Sequence, residues 1–193
     1  MILICSAGGV GTTSFIKWAG RYSTVNSYGN KDGLKHSVHP PERKGIEKAV
    51  YLFTRKPEEA AVSLVKRFNE SHIRKLTGEN LILRDYRKLL GYNRDLFDFE
   101  SVFKNWFYSA TSYDILFLNY DTMWYYVKDV AEFLEFPEEA IIEFPKFKKR
   151  NSAKLLEQEQ QLYYHLNSIY NKFKYFLYDL PDFYVKDGGL NGR

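Results

Sequence analysis

Two stretches of this chain carry residue types suited to capturing an anion. The first is Gly8-Gly9-Val10-Gly11-Thr12-Thr13-Ser14. Glycines let successive backbone N–H groups converge with no Cβ in the way, and a helix starting behind them adds unpaired N–H groups and a partial positive charge. The hydroxyls of Thr12, Thr13 and Ser14 supply further donors. The plainer reading is a tight strand-to-helix turn that binds nothing. The second stretch is Arg55-Lys56-Pro57, with Ser63 eight residues after the arginine. An arginine at a strand end offers a forked, charge-assisted contact to a phosphate. A serine two turns into the following helix can share that rim. Taken singly, Arg55 also fits a surface ion pair and Ser63 a neutral helix position.

The glycine stretch is not a Walker A loop, because Thr12 stands where that motif places lysine. It is not a dinucleotide fingerprint either. Gly9 and Gly11 supply two glycines, Ser14 takes the third position, and only Asp32 offers the acid expected about 20 residues on.

These residues need elements to hold them. At 193 residues the chain has the size of one domain with a real core. An apolar share of 45% with 27% charged residues excludes wholesale disorder. The single cysteine, Cys5, excludes a disulfide scaffold and zinc sites built on paired cysteines. The balance of 28 basic against 24 acidic residues, +4 in all, suits an anionic ligand better than a nucleic-acid footprint. No stretch is apolar and long enough to span a membrane. The run Met1–Cys5 is too short for a signal-peptide core and has no basic region before it, so the expected setting is a reducing cytoplasm.

Met1–Ser6, Ala49–Thr54 and Asp114–Tyr120 read as strands. Helices are expected from Thr12, over Glu58–Lys75, around Tyr86–Leu90 and Phe99–Tyr108, and after a cap at Asp121 through Phe133-Leu134. Residues 22–44 read mainly as loop, with room for one short strand. Ser152 to about Tyr178 reads as one long amphipathic helix, whose apolar stripe is core or a partner surface. The expected fold is α/β: a single domain with a central parallel sheet flanked by helices, P-loop NTPase-like, with a long C-terminal helix. Residues 1–135 would form the nucleotide-binding core, and 146–185 a C-terminal basic loop and helix. Ligands in such sheets gather at the carboxyl ends of the strands, which would bring the glycine loop, Arg55 and Tyr120-Asp121 to one rim.

A loop ending Gly11-Thr12-Thr13 after the first strand, then Arg55-x-Pro57…Ser63 after a later one, resembles the sulfotransferase superfamily. Ile115–Asp121, followed by a helix ending Phe133-Leu134, is similar to that family's later strand and helix. The likeness runs from residue 1 to about 135. It implies 3′-phosphoadenosine 5′-phosphosulfate as donor and adenosine 3′,5′-bisphosphate as product. It also implies that the loop from Gly9 and Val10 through Gly11, Thr12, Thr13 and Ser14 holds the 5′ end, and that Arg55 and Ser63 hold the 3′-phosphate. The family carries a lysine two residues before the Gly-Thr-Thr glycine, where this chain has Gly9. Lys35 is the expected substitute, since Lys17 lies one helix turn away and points elsewhere.

Sulfonate transfer to a hydroxyl needs a base, and histidine suits that task near neutral pH. Lys35-His36 resembles the Lys-Glu pair of the family's Golgi-type branch. His36 is therefore the expected base, with His39 behind it and Lys35 neutralising the transferring group. A pair of solvated loop histidines is the alternative. Within the basic run Lys146–Arg150, Arg150 together with Ser152 would close over the nucleotide, unless the run is simply a solvated face. Trp106 and Trp124 could stack on a sugar, but core packing is their default. No metal is called for. The acceptor would be a small molecule or a glycan. The rivals are a divergent P-loop ATP phosphotransferase, a non-catalytic nucleotide-binding relative, and a partner protein acting through its C-terminal helix.

Overall fold

Runs of apolar residues without polar alternation form strands covered on both faces. The computed structural model describes residues 1–67, 70–146 and 156–189, and all three expected strands are among them. They are β1 Ile2–Cys5, β2 Lys48–Phe53 and β3 Asp114–Asn119, almost wholly buried. β1 pairs with β2 and β2 with β3, both parallel, with Cys5 opposite Tyr51 and Phe53 opposite Asn119. In place of a strand between residues 22 and 44 there is one bridge, Val25 against Ile2.

The two-residue period of a strand divides the core into two layers. Ile2, Ile4, Val50, Leu52, Leu116 and Leu118 face α1 Thr12–Ala19 and α6 Val127–Phe133. Leu3, Cys5, Tyr51, Phe53 and Phe117 face α2 Pro57–Lys66, α3 Glu70–Thr77 and α5 Phe99–Tyr108. Short helices α4 Tyr86–Leu90 and α7 Glu139–Ile142 complete the periphery. The architecture is α/β, with a mostly parallel four-stranded sheet flanked by helices.

Four expectations change. The helix expected over Glu58–Lys75 is two helices. Arg67 ends α2 by turning its guanidinium back, Nε donating to the Ser63 carbonyl at 2.9 Å, so that a terminal carbonyl is satisfied by a side chain. The described part of the long C-terminal helix is also two, α8 Glu157–Ile169 and α9 Asn171–Tyr178. At their junction Tyr170 is buried, donating its hydroxyl to Asp95 at 2.6 Å and stacking on Phe99. Asp121 caps no helix. Its Oδ2 accepts from the Thr54 hydroxyl at 2.6 Å and the Arg55 N–H at 3.3 Å, and a 3-10 turn over Met123–Tyr126 precedes α6.

The fourth change is an added strand. β4 Phe183–Lys186 pairs antiparallel with β3 at the sheet edge, giving the order β1-β2-β3-β4. Ion pairs on two buried carboxylates hold the C-terminal helices to α2, Lys174 to Glu58 at 2.8 Å and Lys66 to Glu159 at 3.0 Å. Among the described residues no helix is long and apolar enough to cross a membrane.

Candidate functional site

β1 ends at Cys5 and the chain turns at once. Ser6 and Thr12 share a buried hydroxyl–hydroxyl hydrogen bond of 2.6 Å, and the Gly8 N–H donates to the Ser6 hydroxyl at 3.1 Å. Thr12 is therefore the clasp of the loop and faces inward, while Thr13 and Ser14 are exposed. Gly8 and Gly9 hold φ of 118° and 74°, where side chains are strained. A Cβ on Gly8 would lie 2.6 Å from His72 Nε2, and one on Gly9 would lie 2.9 Å from the Ala60 Cα of α2. Gly9 is thus a packing requirement, and no lysine fits where the family has one. Among the described residues, the N–H groups from Gly9 to Thr13 make no hydrogen bond; the first engaged are those of Ser14 and Phe15, both to Gly11 O.

These donors border a cavity of about 410 Å³ at the carboxyl end of the parallel strands. Beside the loop, its walls include Lys35, His36, Ser63, Arg67, His72 and Tyr120. Among the described residues two cations face it and no carboxylate does. Lys35 Nζ donates to Thr13 Oγ1 at 2.6 Å and to the Tyr28 carbonyl at 3.0 Å. Burial, and then the nearby Arg67 charge, lower its pKa. Arg67 reaches the Ser63 hydroxyl through Nη2 at 3.0 Å. Each histidine donates an N–H to a loop carbonyl, His36 Nδ1 to Ser6 and His72 Nε2 to Ala7, both at 2.8 Å. Since a carbonyl only accepts, the other nitrogen of each neutral ring carries a lone pair. The rings are 4.0 Å apart, edge to face. Burial first, and then the His72 ring, push His36 down to about 3. Burial pushes His72 down to about 4 against the Ala7 carbonyl bond, helped by Lys35, Arg67 and Lys75.

The structure therefore gathers Gly9–Ser14, Lys35, His36 and Ser63 around one space. Arg55 lies elsewhere. Its guanidinium pairs with Asp182 at 2.8 Å and donates to the Leu177 carbonyl at 3.1 Å and to the Leu180 carbonyl, locking the turn between α9 and β4 onto the sheet. His39 is exposed and meets Asn105 of α5, away from the cavity. Asp32 is spent on its own turn, accepting from the N–H groups of Ser27 and Leu34. Trp106 is fully buried, its indole N–H on the Ser37 carbonyl. Arg150 and Ser152 fall outside the described residues. Sequence reasoning missed Arg67 and His72. Their signal was faint: an arginine one helix turn after Ser63, and a histidine at the apolar positions of α3, buried with Ile73 and Leu76.

A larger cavity of about 790 Å³ lies before β2 and β3, at the amino ends of the strands. Glu42 shares it with Arg43 and Lys44, and its rim is chiefly exposed loop. Size favours that space, but converging donors and uniform charge favour the smaller one. Among the described residues no group of three or more His, Cys, Asp or Glu could hold a metal ion. Compared with protein-family models, curated proteins and solved structures, the chain matches none.

Proposed function

We propose that the chain is a divergent member of the sulfotransferase superfamily, with a P-loop-like core. It moves a sulfonate from 3′-phosphoadenosine 5′-phosphosulfate to a hydroxyl or amine of a small molecule or glycan in the cytoplasm. One observation carries the proposal. The glycine loop, the Lys35 ammonium and the Ser63–Arg67 pair border a single cavity that has no carboxylate among its described lining residues. Such a space favours a ligand bearing several oxyanions. In this reading the loop N–H groups and Thr13 and Ser14 hold the 5′-phosphosulfate. Ser63 and Arg67 hold the 3′-phosphate, Arg67 taking the part that the resemblance gave to Arg55.

Lys35 takes the task of the lysine that Gly9 excludes. Its ammonium already sits on Thr13, at the helix start. As the acceptor oxygen bonds to sulfur, the bond from sulfur to the bridging oxygen breaks, and the electron pair leaves on the phosphate. The acceptor proton passes to His36 Nε2. Catalysis then rests on positioning and on donors aimed at developing charge. A second reading, a binding protein without turnover, draws on one fact: a ring held near 3 is a weak base at neutral pH.

Calorimetry with adenosine 3′,5′-bisphosphate and with ATP–magnesium tests the proposal. Preferential binding of the bisphosphate is expected. Preference for ATP–magnesium, or binding of neither, would refute it.

A further inference from the structure

We propose that His36 and His72 act as one positioning unit, which caps the carbonyls of Ser6 and Ala7 and takes up a single proton when an oxyanion enters the cavity. The inference rests on the reading of this cavity as an oxyanion site. Its basis is geometric. The two imidazoles come from different parts of the chain, the loop before β2 and the middle of α3, and their rings stand 4.0 Å apart on the cavity wall. Each spends one N–H on a neighbouring carbonyl of the loop. Capped, these carbonyls fix the two peptide planes ahead of Gly8, so the loop keeps its donors on the ligand side. His72 also touches the space a Cβ on Gly8 would fill, so ring and glycine fit each other.

Each neutral ring retains one lone pair. Among the described residues the charged groups facing the pair are Lys35 from the loop, Arg67 from the end of α2 and Lys75 from α3, all cations. Burial and these cations keep both rings neutral. A bound dianion reverses the local field. One charge about 4 Å away in a half-buried site moves a titration by about three pH units, so a dianion can bring one imidazolium close to neutral pH. The second ring stays neutral, because two imidazolium groups in contact repel, so His36 serves as base only in the higher-pH form in which the liganded pair carries no proton. The sign follows: free rings titrate low, the liganded pair higher, so affinity for the anion rises as pH falls between those two limits.

Inorganic sulfate is the probe, because its charge stays constant from pH 5 to 8. Binding to the full chain is measured at pH 7.5 and 5.0, together with the nitrogen resonances of the two rings. Sulfate is expected to bind about tenfold or more tightly at pH 5.0, with one ring protonating only when sulfate is present. The variant His36→Asn with His72→Gln keeps an N–H near each capped carbonyl and removes the titration; its sulfate affinity should not change with pH. Equal wild-type affinity at both pH values, with both rings neutral, would overturn this inference and leave the oxyanion reading intact. A pH dependence that persists in the double variant would also overturn it. No binding of sulfate or of adenosine 3′,5′-bisphosphate at either pH would overturn both. The ring resonances of the wild type decide the matter without any variant.

Discussion

Arg55 and Arg67 lie twelve residues apart at the two ends of α2, and they serve opposite ends. Arg55 is enclosed by acceptors: the Asp182 carboxylate, which also accepts from the Asn119 amide at 2.7 Å, and two carbonyls at the end of α9. Its charge is answered within the protein, and it closes the C-terminal turn onto the sheet. Arg67 meets a serine at the wall of a cavity that Lys35 also faces and, among the described residues, no acid does. It lies on the wall of that cavity, beside the glycine loop. A cation's task is set by the acceptors around it, and spacing along the chain does not reveal those.

The comparison can be broken most forcefully at Arg55. Changing Arg55→Met strands the Asp182 carboxylate, which is about four-fifths buried. Loss of one partner of such a pair costs about 3–5 kcal/mol. Urea unfolding should show a fall of that order, with affinity for adenosine 3′,5′-bisphosphate unchanged in the protein that remains folded. Arg67→Met should do the reverse, costing about 1–2 kcal/mol with the loss of its bonds to Ser63 and weakening the bisphosphate about tenfold or more. If Arg55→Met weakens the ligand and Arg67→Met does not, the two assignments must be exchanged.

How much of this was legible follows from the same contrast. β1, β2 and β3 were, because strands buried on both faces are written as unbroken apolar runs. So was the loop, because strand, glycines and hydroxyls are adjacent in sequence. β4 was not, although Phe183-Tyr184-Val185 are strand-prone residues: the run is short, follows Pro181 and gains its pairing only by returning to β3. Lys35 and Ser63 were legible as cavity residues. Arg67 was passed over because Arg55 fitted the family spacing, and His72 because a histidine among apolar helix positions reads as core. Both omissions are tertiary facts, set by the end of α2 and the packing of α3 against the loop.

A smaller effect sharpens the cavity side. Two histidines held neutral in the fold, His72 buried and His36 half-buried, are protonated more readily in the unfolded chain than in the folded one. Stability is then complete above the ordinary histidine range and falls as pH drops below about 6.5 toward the folded values. Each ring contributes up to about 1.4 kcal/mol per pH unit in that window. Between pH 7.0 and 5.5 the wild type should therefore lose about 2–3 kcal/mol more than the variant carrying His36→Asn and His72→Gln. Parallel losses, followed by urea unfolding at both pH values, would mean that these rings are not held neutral in the fold.

The location of the anion site is tested most directly by backbone amide resonances during titration with adenosine 3′,5′-bisphosphate. Saturable shifts are expected at Gly9 through Ser14, Lys35, Ser63 and Arg67, with little change at Arg55 and Asp182. Shifts centred on Arg55, or on Arg43, Lys44 and Thr111 at the opposite end of the sheet, would contradict it.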